Sequence, residues 1–152
     1  MCKYEGCNYT DKWCTPIAAG HKSNSGKITK KASTKSEGKK VYRCKICNKI
    51  IKTEKIPKTS SIKNAKSLKK KQVKVYWKKD SKVSGYQILL ATNSKFTKGK
   101  KTVTVKGYKT TSKTIKSLKS KKTYYVKIRS YKTVSGKKVY GAFSKVKKAK
   151  IK

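Results

Sequence analysis

Apolar and polar residues alternate through much of the last two thirds of the chain. The clearest case is the segment Val73-Lys74-Val75-Tyr76-Trp77-Lys78, in which Val73, Val75 and Trp77 share one side of an extended chain. The same alternation recurs in Gly85–Ala91, in 102–106, in 124–129 and, less regularly, in 139–151. Successive side chains of a strand point to opposite faces, so this period predicts antiparallel sheet with one face buried and one in water.

Short turn signals separate these segments. They are Ser84-Gly85, Asn93-Ser94, Gly99, Gly107 and Ser135-Gly136. Short strands at such spacing, about seven in number, predict an all-β fold of the sandwich type that spans about 90 residues. Lysines on the exposed faces and edges would oppose edge-to-edge pairing, and we therefore expect a monomer.

The composition changes near the stretch Ile56-Pro57-Lys58-Thr59-Ser60-Ser61. All five cysteines and the single histidine precede it, whereas Asp80 is the only acid that follows it. We interpret Pro57 to Ser61 as a linker between two modules. The sequence thus predicts a small Cys/His-containing β module at 1–57 and a β-sandwich domain at 58–152.

The charge is strongly one-sided. Among 152 residues there are 45 Lys and Arg against 5 Asp and Glu, a formal net charge of +40, and only Arg43 and Arg129 are arginine. Arginine offers a planar fork for bidentate contacts with phosphate or guanine, whereas lysine is a hydrated point charge. The pattern predicts a solvated cationic surface that binds nucleic acid non-specifically at low salt.

Several classes of protein are disfavoured because the sequence lacks the features they need. No apolar run reaches 18 residues, so we expect no membrane insertion. General acid–base catalysis usually draws on carboxylates and histidines, and this chain has one His and five acids. Phosphate-loop, nucleophile-elbow and zinc-protease motifs do not occur. We therefore expect a protein that is not an enzyme.

The later segments resemble a fibronectin type III domain, which is a seven-stranded immunoglobulin-like sandwich. The residues that carry the resemblance occur in its order along 59–152: Trp77, Gly85-Tyr86, Leu118 six residues before Tyr124, and Gly141-Ala142-Phe143-Ser144. The resemblance implies a tyrosine corner, in which the Tyr124 hydroxyl bonds to backbone upstream. Phe143 stands where the family has Trp. The lysine-rich sequence is similar to versions of this domain on exported proteins of Gram-positive bacteria.

The outward-facing tyrosines allow a second interpretation. Tyr76, Tyr125 and Tyr131 fall among lysines, and such a face could stack sugars or bases. Packing of tyrosine against lysine across strands explains the same pattern and is favoured.

Cys44-Lys45-Ile46-Cys47 is the sharpest motif of the first module. A Cys-x-x-Cys turn lets two thiolates reach one tetrahedral zinc ion. Cys2 and Cys7 form a looser pair, and Cys14 completes an odd set of five. Disulfides alone would therefore leave one thiol over.

The first module also resembles a short repeat of bacterial surface proteins. That repeat runs Gly-His, Ala-Thr-Cys, Gly, Cys-x-x-Cys-Gly, Ile-Pro, and its His and three Cys resemble a zinc-ribbon set. Here it would supply His21, Cys44 and Cys47, while Thr34 stands at the first Cys position. A zinc site would then need Cys2, Cys7 or Cys14 as a further ligand. Disulfides in an exported protein, or a decayed repeat with idle thiols, are the alternatives.

The expected function is a non-catalytic module of a larger exported protein at the cell surface. Its role would be that of a spacer, an adhesion element or a ligand of anionic cell-wall polymers, polysaccharides or other surface proteins. The alternative is an intracellular zinc-ribbon protein that binds nucleic acid through its basic surface. The charge and Cys44/Cys47 favour that alternative, whereas the scarcity of arginine and the sandwich residues disfavour it.

Overall fold

The computed structural model describes residues 22–152, and within this range the chain forms eleven strands and no helix. The strands are β1 (Lys27–Lys30), β2 (Gly38–Arg43), β3 (Ile50–Ile56), β4 (Ile62–Lys66), β5 (Val73–Trp77), β6 (Gly85–Ala91), β7 (Lys101–Lys106), β8 (Ser112–Ile115), β9 (Thr123–Val134), β10 (Lys137–Tyr140) and β11 (Lys147–Lys150). Over these residues, accordingly, no helix is long and apolar enough to cross a membrane.

The described residues form two compact units. The first contains 22–31 and Gly38–Lys55, and the second contains Ala32–Glu37 and Ile56–Lys152. The segment 32–37 therefore groups with the second unit, although the sequence placed it within the first module.

The first unit is a three-stranded antiparallel sheet in the order β1-β2-β3. Asn24 precedes β1, and its side-chain oxygen accepts hydrogen bonds from the backbone N–H groups of Gly26 and Arg43. This side chain fixes the turn into β1 and the end of β2. The Cys-containing β module predicted from the sequence is thus a β-sheet in its described part.

The second unit is a sandwich of two sheets. One has the order β4-β5-β8; the other has the order β10-β9-β6-β7, and β11 also pairs with β9. Because β10 and β11 lie along the same long strand β9, they are two halves of one final strand. Counted in this way, the sandwich has seven strands, and the predicted immunoglobulin-like fold of the fibronectin type III kind is confirmed.

The core of the sandwich consists of the inward residues of its central strands. They are Val73, Val75 and Trp77 on β5, Tyr86, Ile88 and Leu90 on β6, and Tyr124, Val126 and Ile128 on β9. Each is 5% exposed or less. These are the apolar positions of the period-2 segments, and burial of their apolar area stabilises the fold.

The tyrosine corner is also present. The Tyr124 hydroxyl oxygen accepts a hydrogen bond from the backbone N–H of Lys119 at 3.2 Å, and Leu118 beside it is buried. The bond ties the start of β9 to the loop before it. The role that the resemblance implied for Tyr124 is confirmed.

The stretch predicted as a linker packs onto the second unit. Ser130 in the middle of β9 is fully buried, and its hydroxyl donates to the carbonyl oxygen of Lys58 at 2.7 Å. Pro57 passes so close to Gly141 that a Cβ there would lie 2.8 Å from its carbonyl oxygen. Residues 57–60 are therefore held by the sandwich.

Candidate functional site

Cys44 and Cys47 lie in the turn that joins β2 to β3. The backbone N–H of Cys44 donates to Lys49 O at 2.9 Å, and that of Asn48 donates to Cys44 O at 3.1 Å. Cys44 is buried, with 3% exposed, and Cys47 is half-buried. The turn therefore holds both cysteines of the predicted motif close together at one end of the first sheet.

The turn offers a hydrogen bond to sulfur. The backbone N–H of Ile46 points at Cys44 Sγ with a separation of 3.4 Å. The positive end of a peptide N–H is a favourable neighbour for a thiolate, which is the form of cysteine that binds metals. The geometry thus suits a metal-binding turn.

Asn48 supplies the backbone conformation that closes the turn. It has φ 57°, in the left-handed region that glycine and asparagine tolerate best. The surface repeat has glycine at this place. Arg43 holds the turn from the other side, since its Nη1 donates to Asn48 O at 2.8 Å.

The sequence predicted four further metal ligands besides Cys44 and Cys47. His21, Cys2, Cys7 and Cys14 lie outside residues 22–152. Within that range no three His, Cys, Asp or Glu side chains gather into a metal site. Thr34 is exposed in the second unit.

The described part of the first unit buries little apolar surface. Its buried apolar side chains are Val41 and Cys44, and all four residues of β1 are exposed. A three-stranded sheet needs a hydrophobic face or a covalent or metal staple to be stable in water. Both the zinc and the disulfide interpretations of the cysteines would supply one.

Glu54 on β3 is the one described acid that forms an ion pair. Its Oε1 lies 2.6 Å from Lys52 Nζ, and its Oε2 accepts a hydrogen bond from the Tyr42 hydroxyl at 2.7 Å. The bond with Lys52, and then that with Tyr42, lowers the pKa of Glu54 below its ordinary value. Lys40 and Lys52 lie over the Tyr42 ring, so this face is a small cation–aromatic cluster around one carboxylate.

We expect the Glu54 carboxyl to titrate below the ordinary Glu value of about 4.3. A group with a lowered folded-state pKa contributes stability above its unfolded pKa, and that contribution is lost as pH falls through the folded pKa. The measurement is a carbon-13 NMR titration, assigned with Glu54→Gln. Lys52→Gln should raise the midpoint more than Tyr42→Phe, because the bond with Lys52 is the larger cause. A midpoint at or above the ordinary value would contradict this.

Lysine covers the outside of the sandwich. From residue 58 onward there are 31 Lys and Arg against one acid, Asp80. Asp80 accepts a hydrogen bond from the backbone N–H of Lys82 and so caps its own turn. Among the residues described, Lys52–Glu54 is the one ion pair, and it lies in the first unit. Among the described residues from 58 onward, the ammonium groups therefore have no carboxylate partner.

Arg129 is stacked within a cation–aromatic ladder on the outer face of the larger sheet, which we define as Phe96, Lys127, Phe143, Arg129 and Tyr140. Lys127 Nζ lies 3.9 Å from the Phe96 ring centroid and 4.5 Å from that of Phe143. Arg129 Cζ lies 3.9 Å from the Tyr140 centroid and 4.5 Å from that of Phe143. The two cations thus alternate with three rings.

The guanidinium of Arg129 is further fixed by its Nε, which donates to Gln87 Oε1 at 2.8 Å. Burial lowers the pKa of Arg129 from its very high ordinary value. With Arg43 bonded to Asn48, both arginines of the chain have structural roles. The ladder was not predicted. Its sequence signal is the outward pair Lys127 and Arg129 together with the Phe that replaces Trp.

The outward tyrosines take the structural role that was favoured. Tyr131 is 3% exposed, since its ring packs over Gly85 and against Tyr140. Lys74 lies over Tyr76 and Lys148 lies over Tyr125. The Tyr76 and Tyr125 rings thus pack against the side chains of lysines on the sheet surface.

No protein-family model matches this chain, and no curated protein matches it. Solved structures of similar shape are described as a myokine (17% identity, TM-score 0.49, 62% of this chain and 97% of that chain) and the third fibronectin III domain of human KIAA0343 protein (16%, 0.48, 63% and 83%). A third is the chicken CNTN1 FN1-FN3 structure, at 19% identity and TM-score 0.49, with 79% of this chain and 43% of that chain covered.

Proposed function

We propose that this chain is a non-catalytic, cationic module of an exported surface protein that binds acidic polymers of the cell envelope. The observation that carries the proposal is the excess of lysine from residue 58 onward, with 31 basic residues against the single acid Asp80. The rigid sandwich would act as a spacer, and its surface lysines would bind it to a polyanion.

The physical basis is multivalent charge neutralisation. Neighbouring strands lie about 4.8 Å apart, which is less than the Debye length of about 8 Å at physiological salt, so an anionic chain would meet several ammonium groups at once. Each neutralised anion releases condensed counterions, and the affinity therefore falls steeply with salt. Lysine serves this role without fixed geometry, since it is a mobile point charge.

The arginine contacts favour this proposal over a nucleic-acid reader. Base recognition commonly uses the arginine fork on guanine. Arg129 is stacked between Tyr140 and Phe143, and Arg43 bonds the cysteine turn. From residue 58 onward the one acidic residue is Asp80, which is engaged in its own turn, and this supports a role without acid–base chemistry.

The first unit would be a small metal-stapled module. Cys44 and Cys47 would be two zinc ligands, and His21, Cys2, Cys7 and Cys14 are the candidates for the others. The ion would supply stability that Val41 and Cys44 alone cannot provide. The extracellular setting comes from the resemblance to surface proteins and is part of the proposal.

The test is binding of the full chain to purified teichoic acid, duplex DNA and neutral dextran between 50 and 200 mM salt. We expect teichoic acid to bind at physiological salt and dextran not to bind. If six anions are neutralised, affinity should fall by about three orders of magnitude across that range. Tight DNA binding with sequence preference at 150 mM salt, together with loss of teichoic acid binding, would overturn the proposal in favour of the intracellular alternative.

A further inference from the structure

A groove of about 590 Å³ runs over the second unit between the start of β4 and the segment that joins β10 to β11. Five hydroxyl side chains line it on one side: Ser33, Thr34, Thr59, Ser60 and Ser61. Pockets of this size commonly hold a small molecule or one unit of a polymer. Nothing in the sequence pattern indicated it, because 33–34 are distant from 59–61 along the chain.

Hydrogen bonds fix both walls of the groove. The backbone N–H of Thr59 donates to Ser33 O at 2.9 Å, and this bond brings the segment 32–37 against the sandwich. On the opposite wall, Ser144 Oγ accepts from the backbone N–H of Ile128 and donates to Lys145 O. The groove is therefore formed before any ligand enters it.

Ser60 is the residue that points to a ligand. It lines the groove and is 8% exposed, and within the described part of the chain its Oγ has no hydrogen-bond partner. A buried hydroxyl without a partner is costly, and such a group in a native protein calls for an explanation. The Oγ itself is shielded from solvent. Rotation of the seryl side chain to another staggered position would turn the hydroxyl toward the groove that Ser60 lines.

The remaining lining defines the chemistry of that molecule. Lys145 and Lys147 are exposed on the rim, and no acidic residue is among the described residues that line the groove. Ile62 and Phe143 add apolar surface. Hydroxyl groups, ammonium groups and apolar side chains together line the groove. This lining is complementary to a ligand that has hydroxyls, an anionic group and a carbon chain.

We propose that this groove binds one repeating unit of a polyol phosphate polymer. Ser60 would bond an oxygen of the polyol, and Lys145 and Lys147 would face the phosphates on its two sides. The inference rests on the proposed function. It names the place where the polyanion is bound by a hydrogen bond to its polyol in addition to charge attraction.

The experiment compares variants of the full chain on two polymers at 150 mM salt: poly(glycerol phosphate) and inorganic polyphosphate. Ser60→Ala should weaken binding of poly(glycerol phosphate) about fivefold, as expected for one hydrogen bond, and leave polyphosphate binding unchanged. Its melting temperature should stay the same or rise, because the variant removes a hydroxyl without a protein partner. Ser112→Ala, at a half-buried serine of β8 that does not line the groove, is the matched control and should bind as the wild type does.

A second pair of variants tests the rim. Lys145→Gln/Lys147→Gln should weaken poly(glycerol phosphate) binding more than Lys69→Gln/Lys70→Gln, which removes the same charge from exposed positions elsewhere. If the wild type binds and each groove variant behaves like its control, the groove inference is overturned and the proposed function stands. If the wild type binds neither polymer, the proposed function fails. Equal loss on both polymers, or a lower melting temperature for Ser60→Ala, would overturn polyol recognition.

Discussion

Gly85→Ala is expected to lower the free energy of unfolding of the sandwich by about 3 kcal/mol, which is large for the addition of one methyl group. Gly85 begins β6 and pairs with Lys106 on one side and Tyr131 on the other. A Cβ at this position would overlap the carbonyl oxygen of Val105 and lie 2.7 Å from the Tyr131 hydroxyl. Because Val105 O is backbone within the sheet, the clash cannot be relieved by a side-chain rotation alone.

Gly136→Ala is the matched control, since Gly136 lies in the turn between β9 and β10 with φ +73° and no heavy atom within 4 Å of a Cβ. It should lose only the cost of a left-handed alanine, about 1 kcal/mol. Both values come from denaturant unfolding followed by tryptophan fluorescence, with the slope m unchanged. Equal midpoints for the two variants would mean that the contact of Tyr131 and Val105 with Gly85 is not tight.

The core of the sandwich could be predicted from the sequence because it depends on local periodicity. Val75, Ile88 and Val126 are fully buried, and each was on the apolar side of an alternating segment. The Leu118–Tyr124 spacing likewise identified a bond that closes over five residues, between Lys119 and Tyr124. Features of this kind are encoded within a few neighbouring residues.

The irregular end of the chain could not be predicted in the same way. The segment 139–151 was expected as one less regular run, and it forms β10 and β11 with a break between them. At the break the Ser144 hydroxyl accepts the hydrogen bond of Ile128 N, in place of a backbone carbonyl. That contact depends on a side chain sixteen residues away, which no local pattern indicates.

The candidate sites show the same division. Cys44 and Cys47 could be identified because the Cys-x-x-Cys spacing alone is enough to let two thiolates bind one metal ion. The groove at Ser60 could not, because it exists only where the segment 32–37 meets Thr59. Arg129 could be counted as one of two arginines, but its stacking between Tyr140 and Phe143 follows from the registry of β9 with the final strand.

One zinc ion per chain is expected in the reduced, desalted protein, and Cys44→Ser is expected to abolish it. Cys44 is buried, and Ile46 N–H points at its sulfur, so this thiol is held in place within the turn. In small zinc modules the ion supplies about 10–16 kcal/mol at neutral pH, so apo and variant forms of the first unit should be unfolded. The sandwich has its own core and should keep its unfolding transition.

The measurements are elemental analysis for zinc, a thiol count in denaturant and NMR of the backbone amides of β1 to β3. Lys45→Ser is the control, since Lys45 lies in the same turn, is exposed, and uses its backbone N–H to bond Lys22 O. It should retain the metal. If the folded amide signals of β2 and β3 disappear in Cys44→Ser and persist in Lys45→Ser, the sheet is stabilised by metal binding at the Cys44 sulfur. The sequence of the loop is then not the cause.

The thiol count separates the alternatives that the odd number of cysteines leaves. Five titratable thiols with zinc before denaturation support the metal site, because thiolate ligands are recovered intact when the ion is removed. One thiol without zinc means two disulfides, and the first unit is then stapled covalently, as suits an oxidising environment. Five thiols without zinc would refute both staples. The sheet β1-β2-β3 would then have to be stable with Val41 and Cys44 as the buried apolar residues of its described part, which its size makes unfavourable.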